Sequence, residues 1–316
     1  MKIAILDAAT LGADIDLSPI AALGETEIRE TTPPELVAKA LEGKNVAVLN
    51  KIKLGEKNLS GAKDLKLICV AATGYDNIDV PWCAAHGIAV ANVPGYSTPS
   101  VCQLTLSMAL YLTTHLGVYR DWVHSGAYSA SGTANRLTPP YHEIASMTWG
   151  VVGGGAIGTS VARAAEAMGA RVLMCRRKNE GDYPLRDIDS LLKESDIVSL
   201  HVPLGDSTRG MIDKRRLRLM KDGAILINAA RGAVTDEAAV AEALLSGKLG
   251  GFGCDVYSAE PFGKDHPFQA LLGLENVCLT PHMAWGSVEA RRRCVMTMAE
   301  NIRAFFEGRG LNRVDL

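Results

Sequence analysis

Short apolar runs alternate with helical patterns from the first residues of the chain. Ile3–Leu6, Val46–Leu49 and Leu67–Ala71 have the length and continuity of strands buried on both faces of a parallel sheet. Between them, Glu35–Leu41 and the Asn77–His86 stretch predict helices, and Ile88–Val93 predicts a further strand. That strand runs into Pro94-Gly95-Tyr96-Ser97-Thr98-Pro99, where Thr98 is suited to cap a helix whose first position is Pro99. One long helix is expected from Val101 to about Tyr119. Arg120–Thr148, rich in Ser, Gly, Thr and Pro and without periodicity, is long for an inert connection and is expected to be an arm reaching a partner subunit. Its Trp122, Tyr128 and Tyr141 need cover, which predicts a homodimer.

The pattern restarts at Thr148. Runs at Trp149–Val152, Arg171–Met174, Ile197–His201, Ala224–Asn228, Gly251–Asp255 and Val277–Leu279 predict a second parallel sheet, with helices at Ile157–Met168 and Asp236–Leu249. A last helix, Ser287–Phe306, extends beyond it and is expected to return to the first layer. The fold class is therefore α/β, with two Rossmann-like or flavodoxin-like parallel-sheet domains. Residues 1–99 plus 287–316 are expected to form one, residues 100–286 the other, with the active site in the interdomain cleft at strand carboxyl ends.

Composition removes several function classes. The 316 residues suffice for two cores, and 47% hydrophobic with 22% charged residues describes a globular chain without a disordered tail. A net charge of -2 without long Lys/Arg blocks argues against a nucleic-acid partner. The seven cysteines are scattered without a C-x-x-C pair, as expected of reduced core thiols, and no metal site is expected. The chain opens on a strand rather than a signal peptide, and no run approaches the roughly 18 apolar residues of a membrane span, so the expected location is the cytoplasm.

Gly153-Gly154-Gly155-Ala156-Ile157-Gly158 matches G-x-G-x-x-G directly after a predicted strand and opens a helix. The glycines tighten the turn and admit a pyrophosphate to the helix N-terminus, so Gly153, Gly155, Ala156, Ile157 and Gly158 are expected to contact a dinucleotide. Where an acid would mark NAD, the chain reads Met174-Cys175-Arg176-Arg177-Lys178. A guanidinium suits a 2′-phosphate, so Arg176 and Arg177 favour NADP over NAD; the alternative is a solvated basic turn.

Three later segments, Asn228-Ala229-Ala230-Arg231-Gly232, Asp255-Val256-Tyr257-Ser258-Ala259-Glu260-Pro261 and Thr280-Pro281-His282-Met283-Ala284-Trp285, carry the most specific signal. With Ala72-Thr73-Gly74-Tyr75-Asp76-Asn77, they give the chain a resemblance over almost its whole length. It resembles the D-isomer-specific 2-hydroxyacid dehydrogenases, and among them the hydroxypyruvate/glyoxylate reductase (glycerate dehydrogenase) branch, which typically shows Asn50-Lys51, Val93-Pro94-Gly95-Tyr96-Ser97-Thr98 and a late Pro-His-x-Ala-Trp.

The resemblance implies hydride transfer between NAD(P)H and a small 2-keto acid, with Arg231, Glu260 and His282 as catalytic residues. Chemistry gives each a role: Arg231 holds the substrate carboxylate and polarises the keto oxygen, His282 exchanges the proton, and Glu260 orients His282 and favours its protonated form. The resemblance further implies cofactor contacts from His201, Val202, Pro203, Ala229, Arg231, Asp255 and His282. Substrate contacts are implied for Thr73, Gly74, Arg231, His282 and Trp285. The chain departs from the pattern at Pro99, Cys102 and Arg176. Competing readings are a dinucleotide-sensing binding protein of the C-terminal-binding-protein type and a formate, phosphite or D-lactate dehydrogenase.

Overall fold

In the computed structural model, which describes residues 1–177 and 182–316, the first apolar runs become neighbouring strands of one sheet. Met1–Ser97 and Trp285–Leu316 form this unit, and Thr98–Ala284 form a second. The first unit holds β1 (Lys2–Ile5), α1 (Ser18–Ala21), β2 (Glu25–Ile28), α2 (Val37–Ala40), β3 (Val46–Leu49), α3 (Glu56–Leu59), β4 (Leu67–Val70), α4 (Val80–Ala85) and β5 (Ala89–Ala91). Its strands are all parallel in the order β2-β1-β3-β4-β5, the flavodoxin-like arrangement.

Alternation sends Ile3, Ile5, Val46 and Val48 to one face of this sheet and Ala4, Leu6, Ala47 and Leu49 to the other. The first face is covered by Ala290, Cys294, Val295, Met298 and Ile302 of the C-terminal helix Val288–Phe306, whose apolar stripe has helical spacing and whose N-cap Ser287 accepts the Ala290 N–H. The second face is covered by residues such as Val37, Leu41, Leu59 and Cys83. Two predicted helices shorten. Pro34 opens a 3₁₀ turn before α2, and Asp79 caps α4 through the Trp82 N–H.

The second unit continues with α5 (Thr98–Thr113), α6 (Leu116–His124), α7 (Ala127–Ser131), β6 (Thr148–Val152), α8 (Ala156–Ala167), β7 (Arg171–Cys175), α9 (Ile188–Glu194), β8 (Ile197–Leu200), α10 (Lys214–Leu219), β9 (Ala224–Asn228), α11 (Glu237–Leu245), β10 (Leu249–Cys254) and β11 (Val277–Leu279). The sheet order is β11-β10-β9-β8-β6-β7, so the direction of progression reverses at β6. Trp149 of β6 is fully buried and donates its indole N–H to Ser199 Oγ (3.0 Å), which satisfies the one polar atom of the ring.

Three expectations are corrected here. The long helix is two, bent by 65° where His115 adopts φ 50°, a left-handed conformation that cannot continue an α-helix. The arm is partly helical, carrying the end of α6 and all of α7. Its aromatics pack in pairs without being covered, with Trp122 edge-on to Tyr128 at 5.6 Å, Tyr119 edge-on to Tyr141 at 6.5 Å and the Arg136 guanidinium 5.1 Å from the Trp122 ring, while Tyr128 and Tyr141 stay exposed. The helix expected over Asp236–Leu249 stops at Leu245, because Gly247 turns the chain at φ 77° and Leu249 already opens β10.

All seven cysteines are free thiols, and burial pushes Cys83 up to about 11 and Cys294 up to about 12, where neither is a nucleophile. Among the described residues no single helix is long and apolar enough to cross a membrane; α5 and α6 reach that length only together.

Candidate active site

Three adjacent parallel strands, β9, β10 and β11, release their loops at one edge of the second sheet. Asn228 ends β9, and its side chain accepts the Ala230 N–H (3.1 Å) and donates to the Arg231 carbonyl (3.0 Å). The turn that presents Arg231 is thereby stapled to the strand. Arg231 is half-buried, with one guanidinium N–H on the Ala230 carbonyl (2.8 Å). At Gly232 a Cβ would stand 2.0 Å from the Tyr257 carbonyl carbon, so the absence of a side chain lets the Arg231 turn lie against the loop after β10.

That loop carries Glu260. Its Oε1 accepts the Tyr257 N–H (3.0 Å), and its Oε2 lies 2.6 Å from Nδ1 of His282 in the loop after β11. A carboxylate so close selects the tautomer with the proton on Nδ1 and fixes the ring plane. His282 adopts φ 53°, a left-handed conformation costing a non-glycine residue about 1 kcal/mol. Asp255, buried at the end of β10, holds the loop in that shape. Its Oδ1 accepts the Thr280 hydroxyl and the Met283 N–H (2.9 Å), and its Oδ2 accepts the Ala284 N–H (2.8 Å). Burial drives the Asp255 carboxyl above its ordinary value, and these hydrogen bonds oppose the rise.

At the other end of the sheet, the loop after β6 lies where strand order reverses, the place open α/β sheets bind ligands. Gly155 is the N-cap of α8, followed by Ala156 and Ile157. A Cβ on Gly158 would fall 1.9 Å from the Gly153 carbonyl oxygen, so the tight strand-to-helix turn depends on glycine. Residues 201–203 follow β8. Both ring nitrogens of His201 are buried and, among the described residues, have no hydrogen-bond partner; burial pushes its imidazole down to about 4, keeping it neutral. A buried, unsatisfied ring beside a glycine turn at a helix N-terminus fits a polar ligand of dinucleotide type. Val202 and Pro203 continue this rim, and Ala229, half-buried, follows β9.

After β7, Arg176 lies over the glycine turn, where a Cβ on Gly154 would meet its Cβ at 2.8 Å. Its guanidinium bonds Met174 Sδ (3.1 Å) and the Tyr183 carbonyl (3.4 Å). Arg177 reaches Ser207 Oγ (2.9 Å) in the loop after β8. Lys178, the third member of the basic turn, lies outside the described residues. In the first unit, Thr73 and Gly74 follow β4, and Trp285 stands edge-on to Tyr96 at 6.4 Å.

Residues 106–284 match the family described as D-isomer specific 2-hydroxyacid dehydrogenase, NAD binding domain. A glycerate dehydrogenase of Methylorubrum extorquens is 37% identical over 92% of this chain and 91% of its own length. The chain belongs to the D-isomer-specific 2-hydroxyacid dehydrogenases. A hydroxypyruvate reductase of Blautia hydrogenotrophica is 32% identical over the full length of both chains. Among solved structures, the D-lactate dehydrogenase of Aquifex aeolicus, complexed with NAD and lactic acid, superimposes with a TM-score of 0.87 at 30% identity, covering 100% of this chain and 99% of that one. The protein is thus an oxidoreductase of D-2-hydroxy acids with a dinucleotide-binding domain of the NAD type.

In this dehydrogenase the loop bearing Glu260 has a second support that sequence reasoning missed. Glu237, the first residue of α11, accepts the Ser258 N–H (2.8 Å) and the Ser258 hydroxyl, and His266 Nε2 lies 3.0 Å from its Oε2. His266 Nδ1 accepts the Phe268 N–H (3.2 Å), so its Nε2 carries the proton toward Glu237. The two side chains are 7% and 9% exposed, too buried for a casual surface pair. Nothing local in the sequence links residues 29 apart.

Proposed function

We propose that the protein is a hydroxypyruvate/glyoxylate reductase, forming D-glycerate and glycolate, with NADP preferred over NAD. The observation that carries the reading is the 2.6 Å contact between Glu260 and His282, two strand ends from Arg231 in the same sheet. With Nδ1 held by Glu260, Nε2 is the atom that delivers a proton to the developing alkoxide and retrieves it in the reverse direction. The Arg231 fork pairs with the substrate carboxylate and polarises the keto group, and the Thr73 and Gly74 N–H groups are further donors to that carboxylate. The bound dinucleotide supplies or accepts the hydride. Gly153, Gly155, Ala156, Ile157, Gly158, Arg176, Arg177, His201, Val202, Pro203, Ala229, Arg231, Asp255 and His282 are assigned to hold it, and Trp285 to shape the substrate pocket. Residues 1–99 with 287–316 take the substrate role and 100–286 the dinucleotide role.

The relatives named glycerate dehydrogenase and hydroxypyruvate reductase support this substrate class over lactate. Initial rates of NAD(P)H oxidation with hydroxypyruvate, glyoxylate and pyruvate are expected to give the highest kcat/KM for hydroxypyruvate. A preference for pyruvate would move the assignment to lactate. Dinucleotide binding with no turnover of any of the three would replace the enzyme by a sensor.

The same proposal includes a homodimer. Leu116, Leu137 and Tyr141 remain 57%, 75% and 55% exposed in and after α6 and α7, and large apolar side chains left open favour cover by a second copy. Sedimentation at micromolar concentration is expected to give twice the 33.6 kDa chain mass, and a monomer alone would refute it.

A further inference from the structure

Thr73 and Gly74 are useful as anion donors only if their N–H groups point out of the protein, and a loop with glycine in it does not guarantee that. The peptide between Thr73 and Gly74 is planar and trans, so its C=O and N–H point in opposite directions. Glycine accepts either sign of φ at little cost, so this peptide can turn over and aim its carbonyl at the ligand instead. Some contact has to choose.

The segment leaving β5 makes that choice for two successive peptides. The Val93 N–H donates to the Ala72 carbonyl (2.9 Å), which turns the Thr73 N–H away from β5. The Asn92 side chain donates from Nδ2 to the Thr73 carbonyl (2.7 Å), which turns the Gly74 N–H away in the same sense. The Thr73 hydroxyl adds a bond to the Val93 carbonyl (2.9 Å). Neither the Thr73 nor the Gly74 N–H donates to another described residue. The first of the two orientations uses only backbone and survives a change of residue type. The second depends on a side chain with a donor of one length at one position.

Asn92 is itself held. It is buried, its N–H donates to the Asn312 carbonyl (3.2 Å), and its carbonyl accepts Nδ2 of Asn301 (2.8 Å) from the C-terminal helix. The Asn301 Oδ1 accepts Nδ2 of Asn312 (2.8 Å). Three asparagines, from the segment after β5, the C-terminal helix and the segment after that helix, are thus linked by hydrogen bonds, and burying Asn92 and Asn301 is tolerable because they pair with one another, with Asn312 and with backbone.

We infer that Asn92 is a positioning residue for substrate binding: its amide locks the Thr73–Gly74 peptide so that two consecutive N–H groups face the carboxylate of the keto acid. This rests on the reading of Thr73 and Gly74 as carboxylate donors. Asn92 touches no reacting atom, so its loss weakens binding of substrate and transition state alike, raising KM and sparing kcat.

The test compares four variants by steady-state kinetics with hydroxypyruvate and by thermal melting. Asn92→Ala and Asn92→Asp, the second nearly isosteric but without the donor, are expected to raise KM on the order of tenfold, the scale of one hydrogen bond to a charged group, with kcat little changed. Asn301→Ala, which loosens the same amide chain without touching the 73–74 peptide, is expected to lower the melting temperature and leave KM as it was. Gly74→Pro, which deletes the N–H itself, is expected to raise KM at least as much as the Asn92 variants. An unchanged KM in both Asn92 variants beside a raised KM in Gly74→Pro would overturn the positioning role alone. An unchanged KM in Gly74→Pro would remove the carboxylate reading and this inference with it. A KM raised equally by Asn301→Ala would show that loss of packing, not orientation, was being measured, and would also overturn it.

Discussion

His282→Ala is expected to lower kcat for keto-acid reduction by roughly 10²–10⁴-fold, the range lost when a positioned proton donor is removed. The dinucleotide Kd should change little, because the glycine turn after β6 that opens α8 keeps its own shape when the His282 ring is removed. Folding should survive as well. The Asp255 bonds that shape the loop run to the Thr280 hydroxyl and to the N–H groups of Met283 and Ala284, none of them on the His282 ring. The measurement is single-turnover absorbance loss together with dinucleotide titration by fluorescence. Reduction at the parent rate by His282→Ala would end the assignment of the proton donor, and an equal loss of dinucleotide binding would make its cofactor contact, not proton transfer, the cause of the lost rate.

The second large effect is on cofactor choice. The protein is expected to show a higher kcat/KM with NADPH than with NADH, and Arg176→Glu is expected to erase or reverse that preference. One charge-assisted hydrogen bond contributes about 1.5–3 kcal/mol, so its loss changes the ratio by about 10- to 150-fold, and the new carboxylate repels a 2′-phosphate further. The structure sharpens the design. Arg176 is anchored near the glycine turn by Met174 and Tyr183, whereas Arg177 is drawn to Ser207 in the next loop, so the two guanidinium groups flank the same strand end from different supports. A double replacement of Arg176 and Arg177 should therefore exceed either single one. Parent enzyme that uses NADH as efficiently as NADPH would show the basic turn to be solvated surface.

What the sequence disclosed follows from burial. Strands β3, β4, β8 and β9 are buried on both faces and mostly apolar, so their runs are visible without a partner. Strand β2 was missed for the opposite reason: Glu25-Thr26-Glu27-Ile28 pairs only with β1 at the sheet edge, where polar side chains are no signal. The helix break at His115 was missed because Thr113-Thr114-His115 carries neither glycine nor proline. In the candidate site, Glu260 and His282 were legible because each sits in a dense motif after a readable strand. Their supports were not, since Glu237 with His266 and Asn92 with Asn301 are joined across 29 and 209 positions and each residue alone is an ordinary polar one.

The C-terminal helix that closes one face of the first sheet gives synthesis an awkward order. Ile3, Ile5, Val46 and Val48 emerge early, but their cover, Ala290 to Ile302, is translated only after the whole of Thr98–Ala284. At ribosomal speeds of about 5–20 residues per second, that interval lasts roughly ten to forty seconds. The second unit is contiguous and can close as it emerges, while the nascent first sheet waits with an apolar face open to chaperones or to neighbouring chains on the same message.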